Sequence, residues 1–293
     1  MTGLDSPADK KPDINKIVSK IQEISTLPQV LKKILDVTSD PTSGASDLQD
    51  ILKSDPALTA KILQVANSAY YGLTQTVTNV KRAIIFLGFK TVKNLSLAVS
   101  VSDMFKSEQT IMGYSREELW KHSVSVAICA KSITQRIGLM EMEDIFTIGI
   151  MHDVGIIMED QYINNLFKKV LTDKTLQEAG IIETERKIFG FDHAALGEKV
   201  VLQWKIPEEI ATVILYHHKP RLAPEEFRKS TSIVYLADVI CSARKIGAVL
   251  NSKVNKPDLD AAMAELNFSK EDITVIIEDL DAEIDRAKDL FIF

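Results

Sequence analysis

Between Glu117 and Ile137 the apolar residues Leu119, Val126, Cys129, Ile133 and Ile137 return at helical spacing, and His122 stands in the same stripe. The pattern recurs down the chain, each time with a polar group set into the apolar face. His152 continues the stripe of Ile145 and Ile148, and Asp153 follows Gly149 by one turn. Ile210, Val213 and Ile214 are prolonged by His217 and His218, while Val234 and Cys241 flank Asp238. An unpaired carboxylate or a half-satisfied imidazole is expensive to bury. A fold assembled from these helices therefore has to bring their inward polar groups onto one another or onto a cation. With His193, this set includes all 5 histidines of the chain.

The remaining signals are helical as well. A first helix is expected from about Asn15 to Ile24, and Leu27-Pro28 opens a second through Val30, Ile34 and Leu35. Ser46 with Gln49 reads as a capping box, and Asp55 before Pro56 as an N-cap followed by proline at the first helical position. Ser115 with Glu118 caps the helix of His122, Asp192 caps the one that begins at His193, and Pro207 starts the one that ends in His217-His218. One helix through Ile145 and Ile157 holds the His152-Asp153 pair, a helix from about Ser230 to Gly247 bears Asp238, and a last amphipathic helix runs from Lys270 to about Leu290. No alternating strand pattern, internal repeat or glycine-rich phosphate loop is present, so the fold class is all-α. Two helical lobes are expected: a flexible lead over 1–14, an N-terminal lobe over 15–105, a linker over 106–115, a metal-site lobe over 116–247 and a helical extension over 248–293.

Composition narrows the function. A hydrophobic fraction of 45% over 293 residues supports a real core. The formal net charge of -6 argues against a nucleic-acid coat, and Lys81, Arg82, Lys90 and Lys93 read as a solvated surface. The polar start gives no secretory leader and no apolar run is long enough to span a membrane, so a cytoplasmic protein is expected. Cys129 and Cys241 lie on apolar stripes with no motif spacing, which suits a reducing compartment and makes neither a ligand.

The chain resembles the HDOD family, the HD-related output domains of bacterial signalling systems within the HD phosphohydrolase superfamily. The resemblance runs from Leu27 to Asp238. It is carried by Leu27-Pro28, Ser54-Asp55-Pro56-Ala57-Leu58, Asn67-Ser68-Ala69-Tyr70-Tyr71-Gly72, Ala83-Ile84 with Leu87-Gly88, and Leu119-Trp120-Lys121-His122-Ser123. His152-Asp153-Val154-Gly155, Asp192-His193 with Leu196-Gly197, Trp204, Pro207 and Tyr216-His217-His218 complete it. It implies a regulatory module that acts through a signalling partner or a small nucleotide ligand.

The chain also keeps each position that ligates the dinuclear centre of the similar HD-GYP phosphodiesterases. That resemblance implies one divalent transition metal on His122, His152, Asp153 and Asp238 and a second on Asp153, His193, His217 and His218, with Asp153 bridging. Iron is the metal it favours, with manganese, zinc or nickel compatible with imidazole ligation. Glu118, one turn before His122, suits an outer partner of these ligands and equally a capping residue. Two departures bear on catalysis: Ile156 stands where those enzymes carry a lysine, and Lys219-Pro220-Arg221 replaces the Gly-Tyr-Pro loop. An active phosphohydrolase on a nucleotide or cyclic dinucleotide, with a metal-held hydroxide as nucleophile, is the alternative, and a metal-free interaction scaffold is a second. Glu183 and Glu185 are read as solvated, and Tyr70-Tyr71 as packing.

Overall fold

The computed structural model describes residues 11–24, 32–34, 36–37, 43–107, 109–139, 142, 144–248, 250 and 253–291. Leu27, Pro28, Val30 and Leu35 of the expected second helix lie outside them. Helix α1 (Ile14–Ile24) buries Ile17, Val18 and Ile21. Helix α2 (Ala45–Lys53) starts earlier than the Ser46 box predicts: Gly44 is the N-cap, and its N–H donates to Asp47 Oδ2 at 2.8 Å. Asp47 wins because its short carboxylate reaches back across one turn and also meets the positive end of the helix dipole.

Helix α3 (Pro56–Ala66) begins as predicted, with Leu58 N–H donating to Asp55 Oδ1 at 2.9 Å, and it turns Leu58, Ile62, Val65 and Ala66 inward. Each such apolar side chain, once fully buried, stabilises the fold by roughly 1.5–3 kcal/mol before chain entropy is counted. Asn67 ends the helix and closes the loop beyond it. Its side-chain amide donates to the Val77 carbonyl at 2.8 Å, and its Oδ1 accepts the Val77 N–H at 2.7 Å. Tyr70 and Tyr71, held in that loop, meet edge to face at 5.1 Å with the Lys131 ammonium 4.7 Å from the Tyr70 ring centre. Helices α4 (Val80–Leu87), capped by Asn79, and α5 (Phe89–Ser102) complete the first lobe.

The stretch read as a linker is not wholly irregular. Strands β1 (Thr110–Ile111) and β2 (Tyr114–Ser115) pair antiparallel around Met112-Gly113, the one strand pairing among the described residues. Ser115 then accepts the Glu118 N–H at 3.2 Å and starts α6 (Arg116–Arg136).

The second lobe is organised around α6, which packs against α7 (Ile145–Met151) and α14 (Arg228–Ala243). Helix α8 (Val154–Tyr162) packs against α12 (His193–Gln203), and α12 against α13 (Glu208–Tyr216). Between α8 and α12 run α9 (Asn164–Thr172), α10 (Lys174–Ala179) and α11 (Ile181–Ile188), and α15 (Lys256–Glu265) and α16 (Lys270–Arg286) follow α14. Helix α5 packs on α7, so one apolar core continues from the first lobe into the second. Helix α1 leans on α8 and α12. No helix of the described residues is long and apolar enough to cross a membrane.

One expected helix is two. The chain through Ile145 and Ile157 breaks at His152-Asp153, where Asp153 leaves helical geometry (φ -100°, ψ 17°) and becomes the N-cap of α8. The break turns two adjacent side chains into a common interior, which a continuous helix would send about 100° apart around its axis.

Candidate metal centre

Four segments deliver the histidines, and a backbone or carboxylate acceptor aims each of four rings. His152 Nδ1 donates to the Gly149 carbonyl at 2.7 Å, and His217 Nδ1 to the Ile214 carbonyl at 2.6 Å. His122 Nδ1 donates to the Ile246 carbonyl at 3.2 Å, and His193 Nδ1 to Glu185 Oε2 at 2.9 Å. With the proton on Nδ1, each ring presents the Nε2 lone pair to the interior, the tautomer a metal ligand needs.

The turn after α14 supplies the acceptor for His122. Gly247 takes φ +72° there, and a Cβ on it would strike the Glu118 carbonyl and the His122 backbone. Ala248 N–H donates to that same Glu118 carbonyl at 2.9 Å. Glu118 thus joins the site through its backbone, as the anchor that holds the Ile246 carbonyl over His122.

Asp153 lies at the centre. Its Oδ1 is 3.4 Å from His193 Nε2 and 3.5 Å from His217 Nε2, and its Oδ2 is 3.2 Å from His152 Nε2 and 3.9 Å from His122 Nε2. The two oxygens of one carboxylate therefore face two separate groups of imidazoles. Asp153, His193, His217 and His218 offer ligand atoms within 4.8 Å of one another, and so do His122, His152 and Asp153. Asp238 stands at the edge of the second group, with Oδ1 3.1 Å from His122 Nε2 and Oδ2 3.8 Å from His218 Nδ1, and it accepts the Ser242 hydroxyl at 3.1 Å. All seven predicted positions converge, six of them buried; His218 is the most open, with 14% of its side chain exposed.

Polar satisfaction in this cluster is incomplete. His152 Nε2 and His217 Nε2 are buried with no hydrogen-bond partner; the 3.2 Å approach of His152 to Asp153 is out of alignment for one. His193 Nε2 and His218 Nε2 stand 3.0 Å apart, and in neutral His193, with its one proton on Nδ1 toward Glu185, Nε2 offers a lone pair. Ring nitrogens about 3 Å apart are at the spacing of neighbouring ligands around an ion held at about 2.0–2.2 Å. The donor set, neutral imidazole with carboxylate, suits a divalent transition metal over calcium.

Charge in the cluster is shared unevenly. Burial pushes the Asp153 carboxyl up, but His152, His193 and His217 outweigh it and hold Asp153 well below the ordinary carboxylate range. Burial opposes charge on His193 too, yet Glu185 and Asp153 raise it well above the usual imidazole value. His152 is raised in the same way, against burial, by Asp153. His218 goes the other way, lowered by burial and then by His217 and His193.

Glu185 corrects the sequence reading. It is fully buried in α11, whereas Glu183 is solvated as expected. Ile181, Thr184, Glu185 and Ile188 fall at i, i+3, i+4 and i+7, so a helical stripe would have found it. Glu159 of α8 is buried beside it, and burial with the Glu185 charge raises its carboxyl well above the usual range. Asp192 is a helix cap, as read, accepting the Ala195 N–H at 2.9 Å.

The HDOD domain model matches residues 24–220. An uncharacterized protein of Treponema pallidum is 24% identical over 227 residues, which is 76% of this chain but 43% of that relative, so this chain spans less than half its length. The crystal structure of an HDOD domain protein of unknown function from Geobacter sulfurreducens superposes with a TM-score of 0.76 at 25% identity, covering 96% of this chain and 100% of that one. A candidate signal transduction protein from Marinobacter aquaeolei shares the fold, with a TM-score of 0.71 at 21% identity over 93% of this chain and 59% of that one.

Proposed function

We propose that this chain, which belongs to the HDOD family, is a signalling protein whose second lobe holds a pair of divalent transition metal ions and which acts through a protein partner or a small ligand. The observation that carries the reading is Asp153, whose two carboxylate oxygens face His193 and His217 on one side and His122 and His152 on the other. His122, His152, Asp153 and Asp238 would hold one ion, and Asp153, His193, His217 and His218 the other, with iron the first metal to test. When bound, such ions supply Lewis acidity toward a phosphoryl oxygen.

The residues around that centre bear on regulation against turnover. Ile156, where the similar phosphodiesterases carry a lysine, is packed into the core at 1% exposure, so no cation on α8 reaches the cluster from that position. Arg221, in the segment that stands in place of the Gly-Tyr-Pro loop, is tied to Asp258 at 2.7 Å. The likeness to a candidate signal transduction protein points the same way. Elemental analysis of the purified protein beside His152→Ala and Asp153→Ala tests the reading: metal in the parent and little in either variant is expected, and equal near-zero content in all three removes it. Metal-loaded protein is expected to show no turnover of phosphodiesters above the Asp153→Ala background; clear turnover would replace the regulatory reading with a phosphohydrolase.

A further inference from the structure

A cavity of about 110 Å³ lies between the lobes, walled by the loop after α3 and by α5, α6 and the start of α7. Lys131 lines it from α6, half-buried, with its ammonium 4.7 Å from the centre of the Tyr70 ring and 5.6 Å from that of Tyr71. Among the described residues no carboxylate comes within ion-pair distance of this cation and no acceptor hydrogen-bonds to it. Glu283 of α16 is the acid whose charge reaches it, from beyond that distance, and Glu283 is itself tied to Arg286 at 3.0 Å. Burial pushes the Tyr70 and Tyr71 phenols up, so the rings carry no charge of their own. Burial also lowers the Lys131 ammonium below the ordinary lysine value, because a cation taken out of water is costly until an anion meets it. The rest of the lining divides by chemistry. Thr91 of α5 and Gln135 of α6 bring a hydroxyl and an amide that hydrogen-bond to no described residue. Met142, Ile145 and Phe146 are apolar, the last two buried.

We propose that this cavity binds a short-chain carboxylate, its charge on Lys131 with Thr91 and Gln135 donating to it, and its alkyl chain against Met142, Ile145 and Phe146. One ammonium matches one negative charge, and the second charge of a phosphate would be left unpaired in a partly enclosed space. The volume sets the length. An apolar cavity of about 150 Å³ admits benzene, so one of about 110 Å³ takes a ligand of about six non-hydrogen atoms or fewer, such as butyrate. The site goes beyond the metal reading and does not depend on it. No predicted metal ligand lines the cavity, and Lys131 stands nine residues, or about 13 Å, along α6 from His122. A ligand there would bridge the lobes, with α5 on one side and α6 and α7 on the other, and α7 runs directly into His152.

The test is ligand-observed NMR titration of the full chain, metal-loaded and after chelation, with butyrate, its neutral isostere butyramide, and inorganic phosphate. Butyrate is expected to bind at least about tenfold more tightly than butyramide, the loss of one charge-assisted contact, and more tightly than phosphate. Lys131→Met, which keeps an unbranched side chain over the tyrosine rings, is expected to weaken butyrate at least about tenfold and to leave butyramide unchanged. Gln135→Glu, at an exposed position that leaves the core alone, sets a fixed carboxylate beside Lys131 and is expected to weaken butyrate severalfold with Tm unchanged. Chelated and metal-loaded protein are expected to bind butyrate alike, so a failure of the metal reading leaves this result standing. Butyrate that fails to bind the parent, binds no better than butyramide or phosphate, or binds Lys131→Met as it binds the parent overturns the cavity assignment and leaves the metal reading intact. Butyrate binding that vanishes on chelation puts the ligand on the metal centre and overturns the assignment as well.

Discussion

Glu185 Oε2 lies 2.9 Å from His193 Nδ1 and 2.9 Å from the His193 backbone N–H, so one carboxylate oxygen fixes both the ring and the first residue of α12. A carboxylate behind a ligating imidazole sets its tautomer and raises its basicity, and losing such a partner typically costs about 10–100-fold in metal affinity. Glu185→Gln is therefore expected to weaken metal binding by that order while far-ultraviolet circular dichroism stays unchanged. Competition against a chromogenic chelator measures it, and parental affinity in the variant would make Glu185 a helix-capping residue only.

Metal removal is expected to destabilise the protein because His152 Nε2 and His217 Nε2 are buried without another partner. An ion present at 100 times its Kd adds about 2.7 kcal/mol to the folded state. At roughly 2–4 °C per kcal/mol for a chain approaching this size, chelation should lower Tm by about 5–10 °C, and Asp153→Ala should not respond to chelator at all. The effect should depend on pH with a definite sign. In the ion-free protein His193 and His152 are raised, so their protonated forms contribute stability below the ordinary imidazole range that is lost as pH rises through the raised values. Protons compete with the ion for the same nitrogens. The Tm difference between loaded and chelated protein should therefore widen from pH 5 to pH 8, and a constant difference would argue against imidazole ligation.

Glu159 gives a pH effect of its own. Burial and the neighbouring Glu185 charge raise its carboxyl in the folded chain, so the folded state holds a proton that the unfolded chain has released. Stability then falls as pH climbs from the unfolded glutamate range toward the raised value. Glu159→Gln, a neutral isostere, is expected to raise Tm at pH 8 and leave it nearly unchanged at pH 5. Differential scanning calorimetry at the two pH values decides it, and an equal shift at both would mean that packing, not charge, governs the site.

What could be read from the sequence, and what could not, follows from burial. The caps at Asp55, Ser115 and Asp192 are local chemistry and hold in the structure. His122 was legible because it falls in the helical stripe of Leu119 and Val126, and Asp238 because Val234 and Cys241 frame it. From Ile145 to Met151 every residue is buried, and so is every residue from Val154 to Asp160. A helix buried on all sides has no amphipathic period to mark where it ends, so the break at His152-Asp153 left no trace in the pattern. Glu185 was missed for the opposite reason: a glutamate with no motif around it reads as surface, and only its place in the stripe of Ile181, Thr184 and Ile188 argued otherwise. The hairpin at Met112-Gly113 pairs too few residues to show alternation.

Just beyond the break, Gly155 sets the approach of α8 to α12. Helices α8 and α12 approach so closely there that a Cβ on Gly155 would fall inside contact distance of the His193 carbonyl, which is backbone and cannot swing aside. Gly155→Ala must push α12 away from α8, and overpacking of this kind costs about 1–3 kcal/mol even where neighbouring side chains can adjust. The displacement acts on both halves of the centre together, since His193 begins α12 and Asp153 caps α8. Gly155→Ala is thus expected to lower Tm by several degrees and to weaken metal binding more than an equally destabilising substitution remote from the cluster, such as Leu280→Ala in α16. Thermal melts paired with chelator competition compare the two. If both variants lose metal in proportion to stability alone, the contact between α8 and α12 is packing, and the geometry of the centre is set elsewhere.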